Sequence, residues 1–343
     1  MKVIKRIISW AILSLILQFA GLFILDSFVF KHSSDFKIKK VETDVADTKN
    51  VNATIPDGSE DVKISYDGRY LTYNYNNKVY IEDTSTNEKN EIKTQDGGDI
   101  MYYKWLSDRD RIVIAEKTNI DDEEKIKLVT YDPTNKVQSD VSEVCSYKSN
   151  MEVKKISVSV LTGVYYVDVD RGGMKNTVYR IDINHDLTRV SLKSDVLGNM
   201  DVIPRYDRLI YEDEVNNTFY ATSPSKRLVI KSDKELALLG IDAEGVIYIG
   251  EITADKVSKI IYGTVDEDTS SWKNLDLTEV VNPKDMYFNS KSEILINDNL
   301  QGIVKNLTTG KEMSYDGKLV EIKEKFVATV VDGKLSYTSL VEE

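Results

Sequence analysis

The chain has 343 residues, of which 41% are hydrophobic and 30% are charged, and its formal net charge is −12. This balance is typical of a folded protein and excludes disorder of the whole chain. The negative charge repels the phosphate backbone of DNA and RNA, so no nucleic-acid partner is expected. The 20 tyrosines and only 5 prolines favour β-structure, because aromatic side chains pack well on a pleated surface.

An uncharged apolar run occupies residues 7–25, directly after the basic residues Lys2, Lys5 and Arg6. A helix of this length spans roughly 30 Å, which is the thickness of the hydrocarbon core of a bilayer. The run therefore predicts a single membrane anchor. A cleaved signal peptide is the alternative, although its apolar region usually has about 7–15 residues. The predicted anchor residues are Ile7, Trp10, Leu13, Leu17, Phe19, Leu22 and Leu25.

Charge predicts the orientation of this anchor, since basic residues before a membrane helix favour the cytoplasmic side. Residues 1–30 then form the cytoplasmic tip and the anchor, residues 31–58 a polar stalk, and residues 59–343 a folded domain outside the membrane. Abundant Lys, Asn, Ile and Tyr suggest an AT-rich bacterial genome. The expected location is the cell membrane, with a single pass.

A unit of short strands and polar turns recurs through the folded domain. Each copy has an alternating apolar strand, a turn, a strand rich in Tyr, Ile and Val, and a third strand before a polar turn. The copies begin near residues 61, 102, 152, 201, 235, 284 and 318. Such spacing predicts an all-β propeller of about seven four-stranded blades. Six blades remain an alternative, and so do two stacked β-sandwiches.

The last copy supplies only three strands, so its fourth strand must come from elsewhere. The segment near residues 41–45 is the expected source. This pairing would join the first and last blades and remove two open sheet edges.

The first two repeats, residues 62–137, resemble those of TolB-like propellers, which also occur in the prolyl oligopeptidase family. Their loose signature places Ser65, Asp67 and Gly68 in a turn, and Tyr80 and Asp83 in the following strand and turn. Leu71, Tyr73, Val79, Ile81 and Asn87 complete the match. The resemblance fades after these repeats, and it implies a fold rather than an activity.

Few residues indicate a catalytic or metal-binding site. The Gly-x-Ser-x-Gly nucleophile motif of prolyl oligopeptidases is missing, so no peptidase activity of that type is expected. His32 and His185 are the two histidines and Cys145 is the one cysteine, too few for a histidine-based zinc site or a Cys-His nucleophile pair. We expect His185 in a solvated turn and Cys145 in a buried position or a strand. No cofactor is expected.

Several other patterns have simple structural interpretations. The acidic runs 121–124 and 266–268 lack the spacing of a calcium loop and are expected to be solvated. Gly172 and Gly173 predict a hairpin turn, and Trp105 and Trp272 are expected to pack between sheets. Paired carboxylates for glycoside hydrolysis cannot be recognised from sequence.

These observations favour a non-catalytic protein-binding or scaffold module whose partner is an envelope or membrane protein. One alternative is a sensor or binder of a small ligand, peptide or glycan, with polar and aromatic side chains converging in the central channel. A carbohydrate-active enzyme is a third hypothesis. The oligomeric state is not determined by these patterns.

Overall fold

The computed structural model describes residues 2–24, 51–94 and 97–340, which belong to two separate units. The first contains helix α1 (Lys2–Ile24). The predicted anchor residues that are exposed on this helix are Trp10, Leu13, Leu17, Phe19 and Leu22. Ile7 also lies in the helix, and Leu25 lies outside the described residues. Among the described residues, no helix combines the length and the apolar character that a membrane span requires.

The second unit consists of seven antiparallel sheets, each built from consecutive strands. The strands of the first three sheets are β1 (Glu60–Ile64), β2 (Tyr70–Tyr75), β3 (Lys78–Asp83) and β4 (Lys89–Glu91), then β5 (Asp99–Trp105), β6 (Ile112–Ile120), β7 (Glu123–Asp132) and β8 (Val137–Ser146), then β9 (Glu152–Ser159), β10 (Val164–Asp170), β11 (Asn176–Ile181) and β12 (Leu187–Arg189).

The next two sheets contain β13 (Leu197–Val202), β14 (Leu209–Asp213), β15 (Thr218–Ala221) and β16 (Lys226–Leu228), then β17 (Glu235–Ile241), β18 (Val246–Thr253), β19 (Lys256–Thr264) and β20 (Lys273–Val281). The last two contain β21 (Met286–Phe288), β22 (Ile294–Asp298), β23 (Ile303–Asn306) and β24 (Glu312–Ser314), then β25 (Lys318–Ile322), β26 (Phe326–Val331) and β27 (Lys334–Ser339). Short 3₁₀ turns lie at Thr269–Ser271 and Pro283–Asp285.

The prediction of a seven-bladed β-propeller is confirmed, and the six-blade and sandwich alternatives are wrong. The first strands of neighbouring blades contact one another around the ring, for example β1 with β5 and β25, and β13 with β9 and β17. They are therefore the innermost strands. Two blades, predicted to start near residues 102 and 201, begin several residues earlier, at Asp99 and Leu197. Bulges between Ile100 and Tyr102 and between Leu197 and Met200 interrupt the alternation that the sequence pattern relies on.

The hydrophobic core lies between blades rather than within them. Each of the seven apolar clusters found among the described residues is shared by two neighbouring blades. Trp105 shows the pattern, since it packs between the first two blades and donates its indole N–H to Thr72 Oγ1 at 3.0 Å. A single blade could not bury its faces alone, which explains why the repeat has to recur.

Ring closure uses residues just before the first blade. Thr54 pairs with Lys334, the Ile55 amide donates to the Gly333 carbonyl at 2.9 Å, and the Leu335 amide donates to the Ala53 carbonyl at 3.0 Å. Ala53 and Ile55 are buried on either side of Thr54, which gives the alternation of a short strand. The closing segment is thus 53–55, and the predicted segment 41–45 lies outside the described residues.

Antiparallel order places the connections on two faces of the ring. The turns after the first and third strands of every blade form what we call the first face. The hairpins after the second strand and the links to the next blade form the second face. Second-face hairpins such as Asn76-Asn77 have positive φ at both residues (52° and 60°), and such turns match the twist of the flanking strands.

Candidate functional site

Three large apolar side chains are exposed close together on the first face of the third and fourth blades. Leu161 lies in the turn between β9 and β10, Ile183 in the turn between β11 and β12, and Tyr206 in the turn between β13 and β14. Their exposed fractions are 72%, 69% and 58%. We call these three residues the apolar patch.

The turns that carry the patch contact one another. Gly163 has φ of +67°, and a Cβ built there would lie 3.3 Å from Ile183 Cγ1, so the first two turns touch. The Leu161 amide donates to the Pro204 carbonyl at 3.4 Å, and the Ser159 hydroxyl donates to the same oxygen at 2.8 Å. The turns that carry the patch therefore meet at the junction of two blades.

A charged cluster holds the same turns in place. Arg180 donates to Asp207 through Nε at 2.9 and 3.0 Å and through Nη2 at 2.5 Å, and the Tyr166 hydroxyl donates to Asp207 Oδ1 at 2.6 Å. Arg180 also lies 3.8 Å from Asp182, next to Ile183. Burial raises the pKa of Asp207, but the bonds from Arg180 and Tyr166 outweigh burial and leave this pKa below its usual value.

The corresponding junction of the first two blades has different electrostatics. Asp110 accepts from the Asp67 backbone amide at 3.2 Å, and the Ser65 hydroxyl donates to Asp67 Oδ1 at 3.3 Å. Burial, followed by a hydrogen bond and repulsion from the Asp67 carboxyl, raises the pKa of Asp110 to about 6.

A second polar arrangement follows the innermost strands. Its half-buried members on β1, β5, β9 and β13 are Lys63, Tyr102, Lys104, Lys155, Asn199 and Asp201. We call these six residues the axial belt. They lie where the sequence reasoning expected polar and aromatic side chains for a ligand-binding channel.

The structure locates most of the other residues singled out in the sequence. His185 is exposed in the β11–β12 turn with φ of 68°, and Cys145 is a half-buried residue of β8. Trp105 and Trp272 are 5% and 4% exposed and pack in interblade clusters. These expectations are confirmed, whereas His32 lies outside the described residues.

The glycine and acidic segments also lie where they were expected. Gly172 and Gly173 have positive φ in the β10–β11 hairpin. Asp121 and Asp122 form the exposed β6–β7 hairpin turn. Within the described ranges, no three His, Cys, Asp or Glu side chains lie close enough together to hold a metal ion.

Sequence reasoning missed the apolar patch. Leu161, Ile183 and Tyr206 each stand in a turn, and single exposed apolar residues are ordinary. The segments LTG, NH and YD around them read as polar turns. Only the contact between the three turns distinguishes this group, and that contact depends on how the blades meet.

Comparison with known proteins supports the fold alone. No family model matches the sequence, and no curated protein is matched. A chain of the mitotic checkpoint complex is similar in structure, with a TM-score of 0.51 and 11% identity over 88% of this chain and 92% of that chain. An oligogalacturonate lyase in complex with manganese has a TM-score of 0.54 and 12% identity over 87% of this chain and 92% of that chain. Such low identities carry no statement about activity.

Proposed function

We propose that this chain is a membrane-anchored, extracytoplasmic β-propeller that binds a protein partner of the cell envelope and catalyses no reaction. We also propose that its first repeats relate it to TolB-like propellers. The observation that carries the proposal is the apolar patch of Leu161, Ile183 and Tyr206. Contiguous exposed apolar side chains on a folded surface indicate an interaction site, whereas scattered ones do not.

The patch has a property that favours binding, because its supporting turns are already fixed. Arg180 and Asp207 form a bidentate pair beneath two of the three turns, and the Tyr166 hydroxyl adds a third donor. A surface that is ordered before binding loses less conformational entropy when a partner docks. The aromatic residue of the patch, Tyr206, is of a type that often dominates interface energetics.

The anchor part of the proposal rests on the N-terminal segment. Lys2, Lys5 and Arg6 precede the apolar run, and α1 exposes Trp10 and Phe19, among other large apolar side chains. This charge order favours a cytoplasmic N-terminus, so the propeller would lie outside.

Labelling of intact cells tests the orientation. The variant Cys145→Ser with Ser149→Cys carries its cysteine in an exposed turn of the propeller. We expect a membrane-impermeant maleimide to label this variant before lysis. Labelling that requires lysis would contradict an extracytoplasmic propeller.

Affinity capture from native membranes tests the binding surface. The patch variant is Leu161→Ser with Ile183→Ser and Tyr206→Ser, expressed as the full chain. Its matched control changes three exposed apolar residues of second-face hairpins, Met174→Ser with Val215→Ser and Leu300→Ser. We expect one envelope protein to be enriched with the wild type and the control, and to fall by about tenfold or more with the patch variant.

Two results would contradict the proposal. One is equal enrichment by the patch variant and the wild type, which would show that the patch is not the binding surface. The other is failure of the wild type to enrich any protein. Thermal melting of both variants checks that neither is misfolded.

A further inference from the structure

The closing segment 53–55 is bonded to two blades. On the side of the last blade, it bonds to β27 and to the hairpin before it. On the side of the first blade, the Thr54 amide donates to Glu82 Oε1 of β3 at 3.1 Å. Just before the segment, the Asn52 amide donates to the Thr84 carbonyl at 2.8 Å. Glu82 is thus a side chain through which the first blade holds the closing segment.

Glu82 is a buried carboxylate whose hydrogen-bond donors are neutral. The residue is 2% exposed, and its second oxygen accepts the Tyr73 hydroxyl at 3.2 Å. The two donors satisfy the carboxylate but leave its negative charge unbalanced. Burial raises the pKa of Glu82, and the bonds from Thr54 and Tyr73 oppose this rise. The charge of Lys89 also opposes it.

Tyrosine rings hold the Lys89 ammonium on the same face of the blade as Glu82. Lys89 and Glu82 are directly opposite each other in the register of β3 and β4, so their side chains share a face. Lys89 Nζ lies 4.2 Å from the ring centroid of Tyr80, 5.0 Å from that of Tyr73 and 5.8 Å from that of Tyr75. The Tyr73 side chain therefore links the two charges, because its ring faces the ammonium and its hydroxyl bonds the carboxylate.

The other charged groups around the closing segment do not replace Lys89. Lys78, on the same face of the blade, is paired with Glu91 at 2.9 Å. Residues 51–55 carry no charged side chain. Lys334 of β27 is exposed and forms no ion pair within the described residues. Lys89 Nζ itself has no carboxylate oxygen within 4.0 Å in the part of the chain that the structure describes, so it acts on Glu82 through charge rather than through a direct bond.

We propose that the charge of Lys89 controls ring closure: the ammonium balances the ionised Glu82 beneath the closing segment, and loss of that charge at neutral pH releases the segment. Without a nearby cation, a buried ionised carboxylate is stabilised by hydration, and water reaches Glu82 when the closing segment moves away. Lys89 is exposed, so a single surface charge governs the closure of the ring. This device is independent of the apolar patch.

Amide hydrogen exchange on the full chain in detergent tests this device at pH 7.5. In Lys89→Gln, we expect the amides of Thr54 and Ile55 to exchange about tenfold faster than in the wild type, because the closing segment opens more often. Lys89→Arg keeps the charge above the tyrosine rings and should exchange at close to the wild-type rate. The matched control is Lys93→Gln, which removes another exposed charge of the first blade and should change nothing. Amides of β18, in the fifth blade, are the internal reference.

Two further arms separate a charge effect from a packing effect. The raised pKa of Glu82 contributes stability that is present below the ordinary value of 4.5 and is lost as the pH rises through the folded-state pKa. Removing Lys89 raises this pKa further, so acidification of Lys89→Gln should slow exchange of the closing segment again, after correction for the intrinsic exchange rate. Adding Glu82→Gln to Lys89→Gln should also restore slow exchange at pH 7.5, because a neutral amide accepts from Thr54 and needs no cation.

The proposal is overturned if Thr54 and Ile55 exchange at the wild-type rate in Lys89→Gln, or if Lys89→Arg exchanges as fast as Lys89→Gln. It is also overturned if neither acidification nor Glu82→Gln slows the exchange of Lys89→Gln, since the effect would then come from lost packing. Equal acceleration in β18 would show general destabilisation and would refute a local device. Thermal melting of each variant confirms that folded protein is compared.

Discussion

Two blade junctions on the first face each have an aspartate in the turn after the first strand of a blade, but the pKa values of the two aspartates are shifted in opposite directions. At the junction of the third and fourth blades, Asp207 accepts from Arg180 and Tyr166, and its pKa lies below the usual value. At the junction of the first and second blades, Asp110 faces Asp67, and its pKa rises to about 6.

The difference shows which features the repeat specifies and which it leaves free. In both cases the turn after the first strand of one blade offers a carboxylate to the preceding blade. The preceding blade supplies the Arg180 guanidinium beside Asp207 and the Asp67 carboxyl beside Asp110. Of the two junctions, the Arg-paired one carries the exposed apolar side chains Leu161, Ile183 and Tyr206. Its rigid polar base therefore coincides with the proposed binding surface.

The largest stability effect is expected from Asp207→Ala. This change leaves Arg180 and the Tyr166 hydroxyl without their acceptor, and we expect the free energy of unfolding to fall by about 2 kcal/mol, a value that allows for the partial exposure of the pair. Urea unfolding followed by circular dichroism measures it. Asp186→Ala, in an exposed turn, is the control. A loss no larger than that of the control would show that the cluster does not hold the junction.

A smaller effect of opposite sign is expected from Asp110→Asn. Because the folded-state pKa of Asp110 lies above its ordinary value of 3.8, its stabilising contribution is present below that value and is lost as the pH rises through about 6. Asparagine stays neutral and can donate to Asp67. We expect a gain of about 1–2 kcal/mol at pH 7.5 and none at pH 3.5.

The control for this prediction is Asp207→Asn, whose pH dependence should have the other sign. The depressed pKa of Asp207 means that its contribution is present above the ordinary value of 3.8 and is lost as the pH falls below it. Asp207→Asn should therefore cost stability at pH 7.5. If both asparagine variants shift stability in the same direction at pH 7.5, the contrast between the junctions is refuted.

The smallest effect is expected from Tyr166→Phe. This variant removes the 2.6 Å bond to Asp207 and leaves the Arg180 pair in place, so we expect a loss of about 1 kcal/mol. Tyr165→Phe, at the adjacent half-buried position, should cost less. Paired thermal melts compare them, and an equal loss would mean that the hydroxyl of Tyr166 contributes nothing particular.

Much of the fold was predictable because each repeat has a local sequence pattern of strands and turns. Alternating strands and turn sequences such as Asn76-Asn77 recur along the chain, and this recurrence predicted seven blades. Both residues of that turn have positive φ in the structure. The closing strand was harder, since Ala53 to Ile55 is short and its partner Lys334 lies almost the whole chain away. In a strand of three residues, the alternation of apolar and polar side chains is too short to distinguish the strand from a polar stalk.

The sites were not predictable in the same way. The patch and the axial belt each join residues from different blades, and no spacing along the chain reports that Leu161 and Tyr206 share a surface.

Photocrosslinking in native membranes tests the proposed binding surface most directly. A photoreactive amino acid is placed at position 183, at position 206 or, as a control, at position 300 on the second face. We expect an adduct of one defined mass, dependent on ultraviolet light, from positions 183 and 206 and none from position 300. An adduct from position 300 alone, or no adduct from positions 183 and 206, would contradict it.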